Sequence, residues 1–312
     1  MKHLFRISSL FMMSLLAITV QAQKNKTKKN AEPAVNNTLL WKVEGNGLQK
    51  PSYIFGTIHL LCKDDAVLSD SMKQVIQAAD LVYFELDMDN LFEMMGGLTK
   101  LKMKGDTTLK DLLTAADYEK VKEYFEKKKT ILPFSVLETY KPIMASSLLS
   151  EGTMPCDGAT SMEQVIMMNA KSKGKKIKGI ETMAEQAGFL DRIPYSFQAA
   201  ELVKYIDSAG SQNGDEKMMS ALFEAYRSQD LQKLESLMAD TDAGMSSFSD
   251  ILLYDRNANW AAKLKTLMGE KTLLIAVGAG HLPGEKGLLN LLKNAGYTVT
   301  PVENKLVKLV TI

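Results

Sequence analysis

Four polar residues of this sequence stand at the ends of short apolar segments: His59, Glu85, Glu181 and His281. Each histidine also follows a glycine by three residues. A glycine at such a point lets the backbone turn tightly and approach a ligand. In open α/β sheets, ligands bind outside the carboxyl ends of the strands, because the loops there face one crevice. If the apolar segments are strands of one sheet, we expect these four side chains to meet in one crevice.

Two imidazoles and a carboxylate that face one crevice predict a metal site. Neutral imidazole suits Zn, Mn, Co or Fe, and a mixed histidine and carboxylate set with open positions is typical of catalytic metals rather than structural ones. A second carboxylate would then serve as the general base. The alternative is that both histidines are ordinary hydrogen-bonded residues, since a G-x-x-H motif alone is a weak signal.

The composition of the chain excludes several classes of protein. Its 312 residues include 38 Lys and Arg against 37 Asp and Glu, which gives a formal net charge of +1. Proteins that bind nucleic acid usually carry a clustered basic excess, so we expect no nucleic-acid partner. The two cysteines are too few for a disulfide-rich scaffold or a four-thiolate zinc site.

Residues 1–22 have the pattern of a secretory signal peptide. Lys2 and Arg6 precede an apolar run that reaches Val20, and Ala22 ends a cleavage motif of small residues. The apolar run is shorter than the roughly 20 residues of a membrane-spanning helix, which disfavours an uncleaved anchor. We therefore expect an exported protein, periplasmic or secreted, with no membrane span after cleavage. The third histidine of the chain, His3, would be removed with this segment.

The rest of the chain is predicted to be a tether followed by one α/β domain. Residues 23–38 are polar and rich in lysine, which predicts a flexible tether, and residues 39–312 form the domain. Apolar runs and turn signals predict strands at Leu39–Val43, Ser52–Phe55, Leu81–Phe84, Ile177–Ile180, Thr272–Val277, Tyr297–Val302 and Leu306–Thr311. Helical patterns predict helices at Asp70–Ala79, Ser161–Lys173 and Gly284–Asn294, and over most of Asn90–Glu151 and Thr182–Met268.

This order of elements predicts the fold class. Strands that alternate with helices favour an α/β sheet, and hairpin signals at both ends of the chain make the sheet a mixed one. The predicted fold is a mixed central β-sheet flanked by helices, with a large helical insertion in the middle of the chain.

Five segments together resemble the TraB/GumN family, which includes the Tiki-type secreted proteases: LLWKVEGNGLQKPSYIFGTIHL, LVYFELD, GIETMAEQ, DRNANWA and VGAGHLPGEKGLLNLLKNAGYTVTPV. The resemblance extends from Leu39 to Val302. The paired G-x-x-H motifs and the closing segment are specific in combination. The resemblance implies an α/β fold shared with the erythromycin-esterase and ChaN-like proteins.

For the Tiki branch, the resemblance implies a metal-dependent peptidase built on two histidines and a strand-end glutamate. Carried over to this sequence, the ligands of a divalent metal ion (Mn, Co or Zn) are His59, His281 and Glu85, and Glu85 is alternatively the general base. We therefore expect an exported metal-dependent hydrolase, a peptidase that acts on a peptide or protein substrate. The alternative is a protein that binds haem, a metal or a peptide in the same crevice without turnover, as the ChaN-like relatives suggest.

Three further residues have two interpretations each. Glu181 is a second acid of the site, or a charge that the N-terminus of a helix favours. Arg256, in the segment DRNANWA, stabilises an oxyanion or a substrate carboxylate. Otherwise Arg256 pairs with Asp255, Glu85 or Glu181. Asp87 shares a strand face with Glu85 only if the strand continues beyond that residue.

Cys62 and Cys156 form an even pair in a chain that is expected to be exported. An oxidising compartment favours a disulfide between them. The bond would tie the His59 loop to the entry of the helix predicted at Ser161–Lys173. Two free thiols that act as soft metal ligands or as nucleophiles are the alternative.

Overall fold

The computed structural model describes residues 37–128, 132–150, 156, 158–208, 215–240 and 247–306. The predicted signal peptide, and all of the predicted tether before residue 37, lie outside these ranges. Within the described ranges, no helix combines the length and the apolar character that crossing a membrane requires.

Single helices and two runs of several helices separate the strands of the described residues. The strands are β1 (Leu40–Glu44), β2 (Ser52–Thr57), β3 (Leu61–Cys62), β4 (Leu81–Phe84), β5 (Ala159–Thr160), β6 (Lys176–Gly179), β7 (Leu273–Gly278) and β8 (Thr298–Pro301). The helices are α1 (Asp70–Ala78), α2 (Leu91–Leu98), α3 (Leu109–Leu112), α4 (Ala115–Lys128), α5 (Phe134–Leu137), α6 (Pro142–Ser150), α7 (Met162–Ser172), α8 (Met183–Leu190), α9 (Tyr195–Ser208), α10 (Asp215–Arg227), α11 (Leu231–Asp240), α12 (Asp255–Leu267) and α13 (Leu288–Asn294).

Six strands form one mixed sheet in the order β6-β4-β7-β2-β1-β8. The first four of these are parallel, whereas β1 is antiparallel to both of its neighbours. The predicted mixed α/β sheet and the hairpin between the first two strands are confirmed. The sequence also predicts a hairpin at the other end of the chain. There β8 pairs with β1 in antiparallel orientation. The last predicted strand lies outside the described residues except for Leu306, which is not in a strand.

The side chains of β7 are buried on both faces of the sheet. Leu274 and Ala276 belong to the apolar core on one face. Leu273, Ile275 and Val277 belong to the core on the other face. A parallel strand that helices cover on both sides has no solvent-facing row of side chains. This explains why the sequence of β7 is a continuous apolar run.

The helical middle of the chain has an apolar core of its own. Its buried members include Leu109, Val121, Phe125, Phe134, Ala145, Ala199 and Leu202. Prolines divide this region into short helices: Pro133 directly precedes α5, Pro142 opens α6, and Pro194 directly precedes α9. The predicted helical insertion is therefore present, as a set of short helices.

The predicted disulfide is present between Cys62 and Cys156. It joins β3 to the segment before β5, and these two strands pair as a small antiparallel sheet. Helix α7 follows at once, capped by Ser161, whose hydroxyl accepts a hydrogen bond from the backbone N–H of Gln164. The bond and the small sheet together hold the segment that follows His59 against the start of α7.

Candidate functional site

All four residues that stand at the ends of the apolar segments lie at one edge of the central sheet. The strands β6, β4, β7 and β2 are neighbours and run parallel, so the chain leaves each of them on the same side. In the same strand order, the residues that follow are Glu181, Glu85, His281 and His59. The topology of the sheet is therefore what brings these residues, distant in sequence, to one place.

Gly56 allows the two G-x-x-H segments to pack against each other. A side chain at this position would place its Cβ 3.1 Å from the Cα of Ala279 and 3.0 Å from Cδ1 of Leu282. The hydroxyl of Tyr226 in α10 donates a hydrogen bond of 3.0 Å to the carbonyl of Gly56. The glycine of the first motif is thus needed for the close approach of the second motif.

Gly278 leaves a space on which three candidate ligands converge. A Cβ on Gly278 would lie 3.3 Å from Oε1 of Glu85, 3.5 Å from Cδ2 of His281 and 3.9 Å from Nε2 of His59. Its backbone N–H also donates a hydrogen bond of 2.9 Å to Glu85 Oε1. Because Gly278 has no side chain, the space between these three candidate ligands stays open.

His59 is oriented by Glu163, a buried residue in the first turn of α7. Nδ1 of His59 lies 2.7 Å from Oε1 of Glu163, while 71% of the histidine side chain is exposed. The contact with Glu163 raises the pKa of His59 to about 9, although the partial burial of the ring opposes the rise. Sequence analysis did not find Glu163, because an acidic residue in the first turn of a helix is ordinary.

His281 is buried and is oriented by Asn257 of α12. Its Nδ1 lies 2.7 Å from Oδ1 of Asn257. The amide nitrogen of Asn257 donates to the carbonyls of His281, at 3.2 Å, and Lys286, at 3.0 Å. Because these carbonyls require a donor, the amide oxygen must face the ring, and Nδ1 of His281 carries the proton. Burial lowers the pKa of His281 to about 3, so the ring is neutral near pH 7 and its Nε2 has a lone pair.

Glu85 is a buried, ionised carboxylate. Oε2 accepts a hydrogen bond of 2.5 Å from Nη2 of Arg256, and Oε1 lies 3.8 Å from Nε2 of His281. Burial alone would raise the pKa of Glu85, but the positive charges of His281, when protonated, and of Arg256 lower it to about 2. Since His281 is neutral near pH 7, Arg256 and the charged ring of His59 are the groups that keep Glu85 ionised there.

The guanidinium group of Arg256 lies at the centre of the cluster. It donates to Glu181 from Nε, at 3.1 Å, and from Nη2, at 2.5 Å. Its Nη1 donates to the carbonyl of Leu252 at 3.0 Å and lies 3.2 Å from Nε2 of His281. Arg256 therefore pairs with both Glu85 and Glu181, while Asp255 forms its ion pair with Arg192.

Glu181 pairs with Arg256 and does not cap the helix that follows Glu181 in the chain. Its second carboxylate oxygen accepts a hydrogen bond of 3.0 Å from Nε1 of Trp260, whose ring lies under the guanidinium group. The N-terminus of α8 is capped instead by Thr182 and Glu185, which form a capping box. Burial raises the pKa of Glu181, although Arg256 opposes the rise.

Asp87 lies outside this cluster. The strand β4 ends at Phe84, so the alternation that would put Asp87 on the face of Glu85 does not continue. Asp87 is instead paired with Lys178, at 3.6 Å.

The donor atoms of the site fit a divalent metal ion. Nε2 of His59, Cδ2 of His281 and a carboxylate oxygen of Glu85 face Gly278, and Nδ1 of each ring is paired, with Glu163 for His59 and with Asn257 for His281. Metal-ligating histidines characteristically have such an orienting partner. As their side chains stand in the described residues, however, no three His, Cys, Asp or Glu are close enough together to hold an ion. Metal binding at this site therefore requires the ligands to draw together.

Comparison with known proteins identifies the family of the chain. Residues 39–301 match the model of the TraB/PrgY/gumN family, nearly the whole extent of the resemblance described above. The chain belongs to this family. The matched range includes every residue of the cluster around Gly278, so the site lies within the part of the chain that defines the TraB/PrgY/gumN family.

Several proteins that are similar to this chain in sequence are named as metalloproteases. The chain is 22% identical to "Metalloprotease TIKI1" of Xenopus tropicalis, over 94% of this chain and 68% of the relative. It is 23% identical to "Metalloprotease TIKI homolog" of Amphimedon queenslandica, over 85% of this chain and 62% of the relative. For "Metalloprotease TIKI1" of Homo sapiens the identity is 23%, over 84% and 61%. The chain thus spans about two thirds or less of the length of these relatives. No solved structure gives a significant match.

Proposed function

We propose that this protein is an exported, metal-dependent hydrolase of the peptidase class. The observation that supports the proposal best is the convergence of His59, Glu85 and His281 on the space above Gly278. The three relatives named above are called metalloproteases, which supports the same reaction class. Because these relatives are longer and only distantly similar, the activity and the substrate remain proposals for this chain.

In this proposal, His59, His281 and Glu85 hold a divalent ion such as Mn²⁺, Co²⁺ or Zn²⁺. The ion would supply Lewis-acid polarisation of a substrate carbonyl. Asn257 keeps the proton of His281 on Nδ1 and its Nε2 available, and Glu163 turns Nε2 of His59 toward the same space. Both rings are therefore oriented before the ion arrives, and the ring of His59, whose pKa is raised to about 9, must lose a proton when it binds the ion.

Glu85 has two expected roles, metal ligand and general base, and the structure favours the first. One carboxylate oxygen of Glu85 faces the space above Gly278, and the neighbouring positive charges hold the pKa of Glu85 below its usual range. Such a carboxylate is ionised near pH 7, which suits a ligand, and it is a weaker proton acceptor than a general base requires. We therefore assign Glu85 as a ligand. Arg256, fixed by Glu181 and Trp260, provides a positive charge beside the reacting carbonyl.

The exposure of the side chains indicates the direction from which a substrate approaches. His59 is exposed, whereas His281, Glu85 and Arg256 are buried and form the floor of the site. A peptide segment would therefore enter past His59, with its carbonyl directed toward the floor. Export is supported by the signal-peptide pattern of residues 1–22 and by the disulfide. N-terminal sequencing of the mature protein tests it, with Gln23 as the expected first residue.

The test of the proposed function is a cleavage assay with a peptide library. The mature protein is assayed with added Mn²⁺, Co²⁺ or Zn²⁺, with and without a chelator, and its metal content is measured. We expect cleavage that the chelator abolishes, and loss of both cleavage and bound metal in His59→Ala. The exposed residue Asp64 provides a matched control, Asp64→Ala, which should behave as the wild type. Bound metal without chelator-sensitive cleavage would assign a binding role instead, and a His59→Ala protein with full metal content would contradict the ligand assignment.

A further inference from the structure

Arg256 contacts the ring nitrogen of His281 that a metal ion would use. Nη1 of Arg256 lies 3.2 Å from Nε2 of His281. Because Nδ1 of the same ring gives its proton to Asn257, Nε2 has the lone pair and accepts the hydrogen bond from the guanidinium group. One lone pair cannot serve an N–H donor and a metal ion at the same time. The two cations are therefore mutually exclusive at this atom.

We propose that Arg256 is an internal cation that holds His281 in the metal-free protein and must release it when a metal ion binds. The inference rests on the proposed metal site and adds to it a competitor supplied by the chain itself. It assigns Arg256 a positioning role that precedes any role in the reaction.

The other contacts of Arg256 allow this release without loss of the side chain from the site. Nη1 also donates to the carbonyl of Leu252, so this group keeps a partner when His281 leaves. Nε and Nη2 stay with Glu181, and the guanidinium group stays over the ring of Trp260. A small movement of the His281 ring or of one guanidinium nitrogen is sufficient to break this contact, and the other hydrogen bonds of Arg256 remain in place.

The same contacts explain why a cation is present here before a metal ion arrives. Glu85 and Glu181 are both buried, and Arg256 bridges them. Two neighbouring buried carboxylates without a counter-ion would be strongly unfavourable, since each loses its hydration. Arg256 thus stabilises the metal-free fold, and the consequence is a lower affinity for the metal ion.

The variant Arg256→Lys separates this competition from a simple change of charge. Lysine keeps the positive charge beside the two carboxylates, but its single ammonium group lacks the planar fork with which arginine reaches Glu181, Glu85 and His281 together. The matched control is Arg192→Lys, the same substitution in a half-exposed residue whose ion pair is with Asp255.

The experiment is a calorimetric titration of the mature protein with Mn²⁺ alone. We expect Arg256→Lys to bind Mn²⁺ about tenfold more tightly than the wild type, the size of one charge-assisted hydrogen bond that no longer has to be broken. Arg192→Lys should bind as the wild type does. Equal or weaker binding by Arg256→Lys, with binding by the wild type intact, would overturn the inference alone. If neither protein binds Mn²⁺, the proposed metal site fails as well, so the two failures are distinguishable.

A measurement on the wild type avoids the risk that Arg256→Lys does not fold. Nitrogen-15 NMR of the imidazole rings is simple to assign, because the mature chain has only His59 and His281. In the metal-free protein, Nε2 of His281 should have the shift of a hydrogen-bonded acceptor. Addition of diamagnetic Zn²⁺ should move this resonance, while the Nε–H of Arg256 stays protected by Glu181. An unchanged Nε2 resonance on Zn²⁺ binding, or loss of that protection, would contradict the inference.

Discussion

Asn257 fixes His281 in one tautomer through a contact of 2.7 Å between its Oδ1 and Nδ1 of the ring. The neighbouring carbonyls of His281 and Lys286 fix the amide in turn, because both accept hydrogen bonds from its nitrogen. The availability of Nε2 in His281 is therefore decided by a residue that does not itself face Gly278. This relationship makes Asn257 the most informative position for testing how the site is built.

We predict that Asn257→Ala lowers the affinity for Mn²⁺ by roughly 10- to 100-fold, the usual effect of losing the partner that orients a metal-binding histidine. The variant should also lose about 1–3 kcal/mol of stability, because the carbonyls of His281, which is buried, and Lys286, which is exposed, lose their donor. Calorimetric titration and denaturant unfolding measure the two effects. Asn259→Ala, an exposed asparagine two residues further along the same helix, is the control and should change neither. Wild-type Mn²⁺ affinity in Asn257→Ala would contradict the proposed role of this contact.

A second prediction concerns the pair of His59 and Glu163. In Glu163→Gln, the pKa of His59 should fall from about 9 toward the ordinary value of 6.5, because the carboxylate that stabilises the charged ring is gone. NMR titration of the imidazole protons in the metal-free protein measures the change. Glu93→Gln, the same substitution in the first turn of α2, is the control. A pKa of His59 that stays near 9 in Glu163→Gln would exclude Glu163 as its cause.

The same pair predicts a direction for the pH dependence of stability. Because the pKa of His59 is raised in the folded state, the contact stabilises the fold fully below about pH 6.5 and loses this contribution as the pH rises through about 9. The difference in melting temperature between wild type and Glu163→Gln should therefore shrink between pH 6 and pH 10. Parallel thermal melts of the two metal-free proteins across this range measure it, and a difference that grows with pH would be inconsistent with the pair.

The sequence predicts Glu85 and His281 as neighbours for a reason that lies in the sheet. Both follow continuous apolar runs, and such runs belong to parallel strands whose carboxyl ends share one edge. His59 and Glu181 follow two further predicted strands, and the observed strand order, in which β6 and β2 flank β4 and β7, places them at the same edge. For these four residues, the apolar segments that precede them in the sequence indicate most of what determines their position.

Glu163 and Arg256 could not be placed in the same way. Glu163 follows a helix cap, and its contact with His59 depends on the small sheet and the disulfide that bring α7 to this edge. Arg256 comes from a helix whose docking is set by packing around Trp260, so its partners among three carboxylates could not be selected from the sequence. Contacts made by helices that dock on the sheet depend on tertiary packing, which local patterns do not record.

Removal of the disulfide should cause a measurable loss of stability. The bond joins Cys62 to Cys156, which are 94 positions apart in the sequence, and cross-links of this kind typically stabilise a protein by about 2–5 kcal/mol. The double variant in which both cysteines are replaced by serine should therefore unfold at lower denaturant concentration. Intact mass after alkylation, with and without reductant, shows whether the bond forms in the mature wild type. Two alkylated thiols without reductant would contradict the bond.

The last prediction concerns Gly278, whose backbone has φ of −49° and ψ of 133°, values that alanine also adopts. Gly278→Ala should therefore fold normally, but its methyl group would lie 3.3 Å from Oε1 of Glu85 and 3.9 Å from Nε2 of His59. We expect the affinity for Mn²⁺ to fall by roughly 10- to 100-fold, as for other changes that disturb ligand orientation, with little change in melting temperature. Gly188→Ala, at a helical glycine with open space around it, is the control. Because the methyl group fills the space without removing any ligand, wild-type Mn²⁺ binding in Gly278→Ala would show that the ion does not bind above Gly278.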